Sequence, residues 1–432
     1  MHGPRGARAD LSHAVLGVTP TQSGAEESGP CLALLAVPRD GRVSKPANPS
    51  APDAAGAPRD GIYIHVPFCE AKCTYCHFAI DPRKPGEERQ ERYVRAVLAE
   101  MEGTEAAADT LYFGGGTPSL LQLERLSRIV EVARRRFALP SGAEVTVEAN
   151  PRDLDEGGFR TLRTLGATRL SLGVQSLDDS VLREMGRLHT GGDARRSVEA
   201  VRRAGFANLS LDLILGWPGE TAERWGRTLD GCLALAPDHV SLYVLEVEGR
   251  TVVSHRQRQG RLDLPEDDLV ADLYQDTVGR LAARGLERYE ISNFARPGFE
   301  SRHNGKYWDD APFLGFGMAA HSYRHGRRSW NHDRFATYCR AVEEGGPAAA
   351  VAGERVLSPR DRAAEALFTG LRRREGVALG AFRTRYGLEP LDEWAEGLAR
   401  ASTAGLVEER DGRLRLTDRG VLLSNEVFRA FV

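Results

Sequence analysis

The chain of 432 residues holds 58 Lys plus Arg against 61 Asp plus Glu, for a net charge of −3. That length suggests two or three domains, and the balanced charge offers no basic stripe of the kind a nucleic-acid binder uses. No apolar run reaches the roughly 18 residues a membrane span needs. Six cysteines in so long a chain make no disulfide framework. Three of them cluster, and no secretory signal pattern precedes them, which reads as metal ligation in a reducing cytoplasm.

Residues 1–58 are rich in Gly, Pro, Ala and Ser without sustained periodicity, and read as a disordered extension. From 59 to 250, strand candidates alternate with amphipathic helical patterns. The strands are Gly61–Val66, Asp109–Phe113, Glu144–Glu148, Arg169–Val174, Asn208–Leu215 and His239–Glu246. Among the helices, Leu123, Leu126, Ile129, Val130, Ala133 and Phe137 recur at helical spacing. Such alternation predicts an α/β fold of parallel strands. Its extent suits about three quarters of a full barrel, a partial (β/α)6 TIM-like barrel with one open side. Residues 251–355 form an α+β extension, with a helix over Glu266–Leu286 and then a stretch dense in aromatics and histidines. Residues 356–432 read as a small winged-helix-like module. There Gly405–Thr417 is a hairpin turning at Asp411-Gly412, followed by a final amphipathic helix. The balanced charge favours a structural or lid role for it over DNA binding.

Just after the first strand stands Phe68-Cys-Glu-Ala-Lys-Cys-Thr-Tyr-Cys-His-Phe78, a C-x3-C-x2-C arrangement of Cys69, Cys73 and Cys76. Chemistry in a parallel barrel sits at this end of the strands. Three thiolates can hold three irons of a 4Fe-4S cubane and leave the fourth open. An open iron can chelate the amino and carboxylate groups of S-adenosylmethionine (SAM), so that an electron from the cluster cleaves the sulfonium and releases a 5′-deoxyadenosyl radical. Other readings of the same residues exist. Cys73 to His77 is formally a C-x-x-C-H haem-attachment site, but that leaves Cys69 unexplained. Zinc on three cysteines and His77 has suitable ligand types, but adjacent Cys76 and His77 are awkward to aim at one ion. A redox dithiol is a further alternative.

Other polar groups fall at successive strand ends. Gly114-Gly115-Gly116-Thr117-Pro118 follows the second strand, Glu148 ends the third, Gln175 follows the fourth, and Asp212 lies on the fifth. Arg187 follows in the next crossover. Glycines let a backbone approach a ligand closely, although a tight turn alone would also select them.

Taken together, Tyr63-Ile-His-Val-Pro-Phe-Cys69, the Gly114–Pro118 turn, Val147-Glu-Ala-Asn-Pro151, Leu172-Gly-Val-Gln-Ser176 and Asp212-Leu-Ile-Leu-Gly216 resemble the oxygen-independent coproporphyrinogen III oxidases of the radical SAM superfamily. The resemblance runs from about Gly61 to the C-terminus. It implies that Tyr63, Gly115, Gly116, Thr117, Glu148, Gln175, Arg187 and Asp212 line a SAM site. Two branches differ at the position of Phe78, where the oxidases carry a further cysteine and the HemW haem chaperones an aromatic residue. His303-Asn304-Gly305-Lys306-Tyr307 is similar to the His-Asn-x-x-Tyr motif of the chaperones, and the Glu290–Ala295 and Gly315–Ser322 segments also resemble that branch. His77 departs from it, since an acidic residue is common there.

Membership of that branch implies a third ligand, haem, and a haem-accepting apoprotein such as a respiratory haem protein, with transient membrane-protein contact. The balanced charge leads to no expectation of a nucleic-acid partner. Imidazole and phenolate are both known haem ligands, and His303 and Tyr307 would share a face of one helical turn. Tyr307, Trp308 and Phe313 would supply apolar surface, and Arg302 or Lys306 would meet propionates. The alternative is that His303 only bonds within a polar loop.

Overall fold

The computed structural model describes residues 59–431 apart from 84, 248 and 250, so the expectation for residues 1–58, with Cys31, lies outside the described residues. Six strands run parallel in chain order: β1 (Asp60–Val66), β2 (Ala108–Gly115), β3 (Glu144–Ala149), β4 (Arg169–Gln175), β5 (Asn208–Leu215) and β6 (His239–Val244). Helices Glu87–Glu102, Leu123–Arg136, Glu156–Thr164, Gly191–Arg203 and Ala222–Ala234 connect them. The expected partial barrel is present.

Side chains alternate across each strand, and here the two faces differ in kind. Ile62, Ile64, Leu111, Phe113, Val145, Val147, Leu170, Leu172, Leu209, Leu211, Val240 and Leu242 join the main apolar core. The opposite face carries Tyr63 and His65, then Thr110 and Tyr112, Glu144 and Glu148, Arg169 and Ser171, Ser210 and Asp212, and His239 and Ser241. Most of these are buried too. A barrel interior filled for stability alone is built of branched aliphatic side chains. This polar interior costs desolvation, which points to a lumen shaped for ligands.

The extension does not stand apart from the barrel. Its strands add to both edges of the same sheet. β7 (Glu287–Arg288) and β8 (Asn293–Ala295) join beside β6. On the other side, β9 (Phe313–Phe316) pairs parallel with β1, followed outward by β10 (His321–Arg324), β11 (Arg327–Asn331) and β12 (Val351–Val356). The sheet order is β12-β11-β10-β9-β1-β2-β3-β4-β5-β6-β8-β7. The physical reason is plain: unclosed β1 and β6 would each expose a row of unpaired backbone groups.

In the C-terminal module, β13 (Val377–Ala378), β14 (Val407–Arg410) and β15 (Arg413–Leu416) form a separate three-stranded sheet. Asp411 and Gly412 turn the hairpin with φ of 54° and 69°, the pair of positive values a tight primed turn requires. The single final helix expected from sequence is instead two short ones, Asp418–Leu422 and Ser424–Phe428. Buried Asp310 ties the module to the extension, accepting from Arg362 (2.9 Å), Arg385 (2.8 Å) and Tyr386 (2.7 Å). Among the described residues no helix is long and apolar enough to cross a membrane.

Candidate functional site

The three clustered cysteines lie on the loop leaving β1, at the C-terminal end of the barrel. The loop is clamped at several points. Asp81 N–H donates to Pro67 O (2.7 Å), Cys76 N–H to Cys73 O (3.2 Å), and Thr74 N–H to Met185 O (2.9 Å). Gly116 donates to Val66 O at 2.8 Å, which brings the β2 turn against the loop. A Cβ on Gly116 would stand 2.7 Å from Phe68 O, and one on Gly115, at φ 106°, would meet the His65 ring at 2.6 Å. Both glycines are therefore required by the turn's own packing, whatever else they hold.

The side chains around the sulfurs form one connected arc. Cys69 Sγ and Thr117 Oγ1 share a hydrogen bond at 3.5 Å, and Asn150 Nδ2 donates to Thr117 Oγ1 at 3.1 Å. Asn150 Oδ1 accepts from Arg187, which also donates to Gly173 O (2.6 Å) and to Cys73 Sγ (3.6 Å). Asn150 was not among the sequence-derived site residues. Its signal was its place in the Val147–Pro151 motif. His65 is another such residue: its ring bonds Tyr63 Oη (3.2 Å) and Ala79 O (2.8 Å), joining the lumen to the end of the cysteine loop.

Burial pushes the Cys69 thiol up to about 12 and the Cys76 thiol to about 11. Such sulfurs ionise only against cations placed among them, which iron would supply, so the donor set fits a cubane. Among the described residues no three His, Cys, Asp or Glu side chains converge on a single ion. In a cubane each thiolate takes its own iron, so that spacing does not count against a cluster.

Deeper in the lumen, Glu148 accepts from Tyr112 Oη at 2.7 Å, and burial raises its carboxyl to about 7. Asp212 accepts from Ser171 (3.0 Å) and Ser210 (3.4 Å), and burial likewise raises its pKa. Gln175 closes β4 in the left-handed region at φ 64°, a conformation costly for a side chain other than glycine. Tyr63, Gly115, Gly116, Thr117, Glu148, Gln175, Arg187 and Asp212 thus line the lumen and its cysteine-bearing mouth.

His303 and Tyr307 lie elsewhere. Their helix, Arg302–Trp308, closes the opposite, N-terminal end of the barrel. Glu144, at the start of β3, accepts the backbone N–H of both Arg302 (2.9 Å) and His303 (3.0 Å), a carboxylate on a helix N-terminus. His303 is 1% exposed. Its Nδ1 pairs with Thr110 Oγ1 and its Nε2 with Tyr307 Oη, both at 2.9 Å. Burial, then the nearby Lys306 charge, lower its pKa to about 3. Lys306 itself is held by Asp109 (2.7 Å) and Arg59 O (2.8 Å), and Arg302 reaches Gly142 O. The two residues do share a helix face, but in this conformation neither ring nitrogen of His303 is open to a metal.

Residues 63–231 match the radical SAM superfamily and residues 357–423 the HemN C-terminal domain. The chain is 36% identical to the haem chaperone HemW of Lactococcus lactis, over 86% of its own length and 97% of the relative's. It is 38% identical to HemW of Mycobacterium tuberculosis, over 86% and 94%. Among solved structures, the radical SAM coproporphyrinogen III oxidase of Escherichia coli superposes with a TM-score of 0.76 at 25% identity, covering 87% of this chain and 90% of that one.

Proposed function

This chain belongs to the HemW haem chaperone family, and from that premise we propose that it binds haem and hands it to an acceptor apoprotein. The observation that carries the reading within the radical SAM superfamily is Phe78, which stacks on His77 (ring centroids 5.2 Å apart) where an oxidase-type loop has a further cysteine. Cys69, Cys73 and Cys76 would hold a 4Fe-4S cluster. Arg187, Asn150 and Thr117 would set the position of its sulfurs, and Glu148, Gln175 and Asp212 would bind SAM beside it. When bound, the cluster supplies one-electron reduction of SAM. Ligation of haem by His303 would require the helix Arg302–Trp308 to lift from the barrel end, because its nitrogens are occupied. The acceptor is a haem apoprotein, with respiratory haem proteins and transient contact with a membrane protein as the expected setting in the cytoplasm.

A second reading, oxidative decarboxylation of coproporphyrinogen III, is favoured by the likeness to the oxidase along nearly the whole chain. One experiment separates them: anaerobic reconstitution with iron and sulfide, then parallel assays of haem binding and coproporphyrinogen turnover. Stoichiometric haem binding without turnover is expected. Robust turnover coupled to SAM consumption would move the protein to the oxidase reading.

A further inference from the structure

Arg169, the first residue of β4, is 1% exposed and among the largest side chains the fold encloses. Its neighbours across the sheet are Thr146 on β3 and Asn208 on β5. Among the described residues its guanidinium has neither a hydrogen bond nor a paired carboxylate, and Arg169 Nε, Thr146 Oγ1 and Asn208 Oδ1 are all buried without a partner. A buried, unpaired charge strongly destabilises a fold. Bridging water can satisfy its N–H groups but leaves the charge uncancelled.

Register shows what that charge stands beneath. Ser171, the next residue of β4 on the lumen face, pairs with Glu148 on β3 and with Ser210 on β5. Its Oγ lies 3.0 and 3.3 Å from the two carboxylate oxygens of Asp212. The strands are parallel, so this row is nearer the cysteine-bearing mouth than the row of Arg169. Glu148 and Asp212 therefore stand between the guanidinium and the mouth. The other titratable groups facing them are Tyr63 and His65 from β1, Tyr112 from β2, Glu144 from β3, His239 and Tyr243 from β6, and Tyr289 and His303 from the extension. Burial lowers His65 to about 4 and His303 to about 3, and holds His239 well below the usual imidazole range. At neutral pH Arg169 is thus the one cation of this set.

We infer that Arg169 is a positioning residue for the SAM site: its uncancelled charge holds Glu148 and Asp212 as carboxylates, the form that binds a cation. The inference rests on the reading that these two residues bind SAM, and adds the group that prepares them. SAM carries a sulfonium and an ammonium against one carboxylate, so it is a net cation. Burial raises both carboxyl groups, Glu148 to about 7, and the Arg169 charge pulls each of them back down. Burial works against the guanidinium too, but Tyr112, Glu144, Tyr289 and Asp212 around it hold it protonated. Paired to a third carboxylate, its charge would be cancelled there; unpaired, it acts on both.

The test is calorimetric titration of the full-length, anaerobically reconstituted protein with SAM over a series of pH values. The amine of SAM titrates alike in every variant, so each profile is compared with the wild type. Wild-type affinity should fall as pH drops through about 7, where Glu148 takes up its proton, and Glu148→Gln should flatten that limb. Arg169→Gln removes the charge but leaves an amide for Thr146 and Asn208. It should move the limb up by about one pH unit or more, the scale of a lost opposite charge. Arg169→Lys keeps a charge and should return the limb close to its wild-type position. Asn208→Asp is nearly isosteric and gives the guanidinium a partner, so the fold is kept, yet the limb should move the same way as in Arg169→Gln. A merely structural arginine would change stability and leave the limb in place. An unmoved limb in either Arg169→Gln or Asn208→Asp, folded and loaded with cluster iron, would overturn the inference. A limb as steep in Glu148→Gln as in the wild type, or a wild type that binds no SAM, would overturn the SAM-site reading itself.

Discussion

The two ends of the barrel are built to opposite specifications. At the C-terminal end, three half-buried thiols cluster with Arg187 reaching Cys73 Sγ, Gln175 holds a positive φ, and glycines allow backbone to pack on backbone. At the N-terminal end Glu144 caps a helix, His303 spends both nitrogens, and Lys306 is paired with Asp109. Clustered thiols and backbone strain mark a place suited to ligands; fully paired groups mark one that stabilises. The division agrees with parallel barrels generally, in which the C-terminal face carries chemistry and the N-terminal face stability. It also means that the histidine motif most suggestive of haem sits, in this conformation, on the stabilising side.

Substitutions can break that contrast. The largest effect is expected at the cysteine loop. Cys69→Ala, Cys73→Ala or Cys76→Ala should each abolish the broad visible absorbance of a cluster with roughly four irons per chain, with little change in thermal unfolding of the apoprotein. Cys232→Ala and Cys339→Ala should retain iron, both being buried in the apolar core. Stoichiometric zinc without iron in anaerobic preparations would sink the cluster assignment.

His303→Ala should do the reverse, leaving cluster iron unchanged. It removes a buried ring and strands Thr110 and Tyr307, at a cost of about 2–4 kcal/mol in denaturant unfolding. A loss under about 0.5 kcal/mol, the range of surface changes, would show that the helix does not close the barrel as described.

The ends should also differ in pH dependence. His303 is lowered from 6.5 to about 3 in the fold, so the unfolded chain binds the extra proton first. Its contribution is full above pH 6.5 and is lost as pH falls toward 3. Against His303→Gln, the wild type should therefore lose about 2 kcal/mol of relative stability between pH 8 and pH 5. Glu148 has the opposite sign. Its folded pKa is raised from 4.5 to about 7, so the folded state holds the extra proton, and its contribution fades as pH rises through 7. Glu148→Gln should remove that opposing slope. Parallel pH profiles for the wild type and both variants would contradict the assignment.

Smaller effects should sharpen the picture. Gly115→Ala combines a left-handed backbone with a Cβ against the His65 ring, costing about 1–3 kcal/mol in thermal or chemical unfolding, and it should weaken SAM binding measured by calorimetry. Tyr307→Phe keeps the ring and loses one hydrogen bond, so about 1 kcal/mol is expected. A larger loss would mean that the hydroxyl does more than hold His303 Nε2.

Much of the barrel could be read along the chain. Asn208–Leu215 was placed to the residue, and the other five strands within two residues at either end, because short apolar runs bounded by turn residues identify buried strands well. The cysteine loop was equally visible along the chain, since its three cysteines lie a few residues apart. The lumen residues were harder. Thr110, Glu144, Ser171, Ser210 and Ser241 alternate with aliphatics, yet one polar residue in a strand is usually an ordinary surface position. Only the closed lumen makes them a set. Asn150 and His65 were missed for that reason, their partners being 33 and 14 residues away.

What could be known from residue order was local: three sulfurs on one loop, glycines at a turn, strand–helix alternation, and a histidine four residues from a tyrosine. Such features depend on spacings of a few residues, which backbone geometry converts directly into shared faces and turns. Where each group finally sits is long-range. His303 is sealed by Thr110, 193 residues earlier, and by Glu144, 159 residues earlier. β9 closes on β1 across some 250 residues of chain, and β10 follows it onto that edge. No periodicity encodes such pairings, because they are chosen by the joint packing of the whole sheet and by the demand that its open edges find partners.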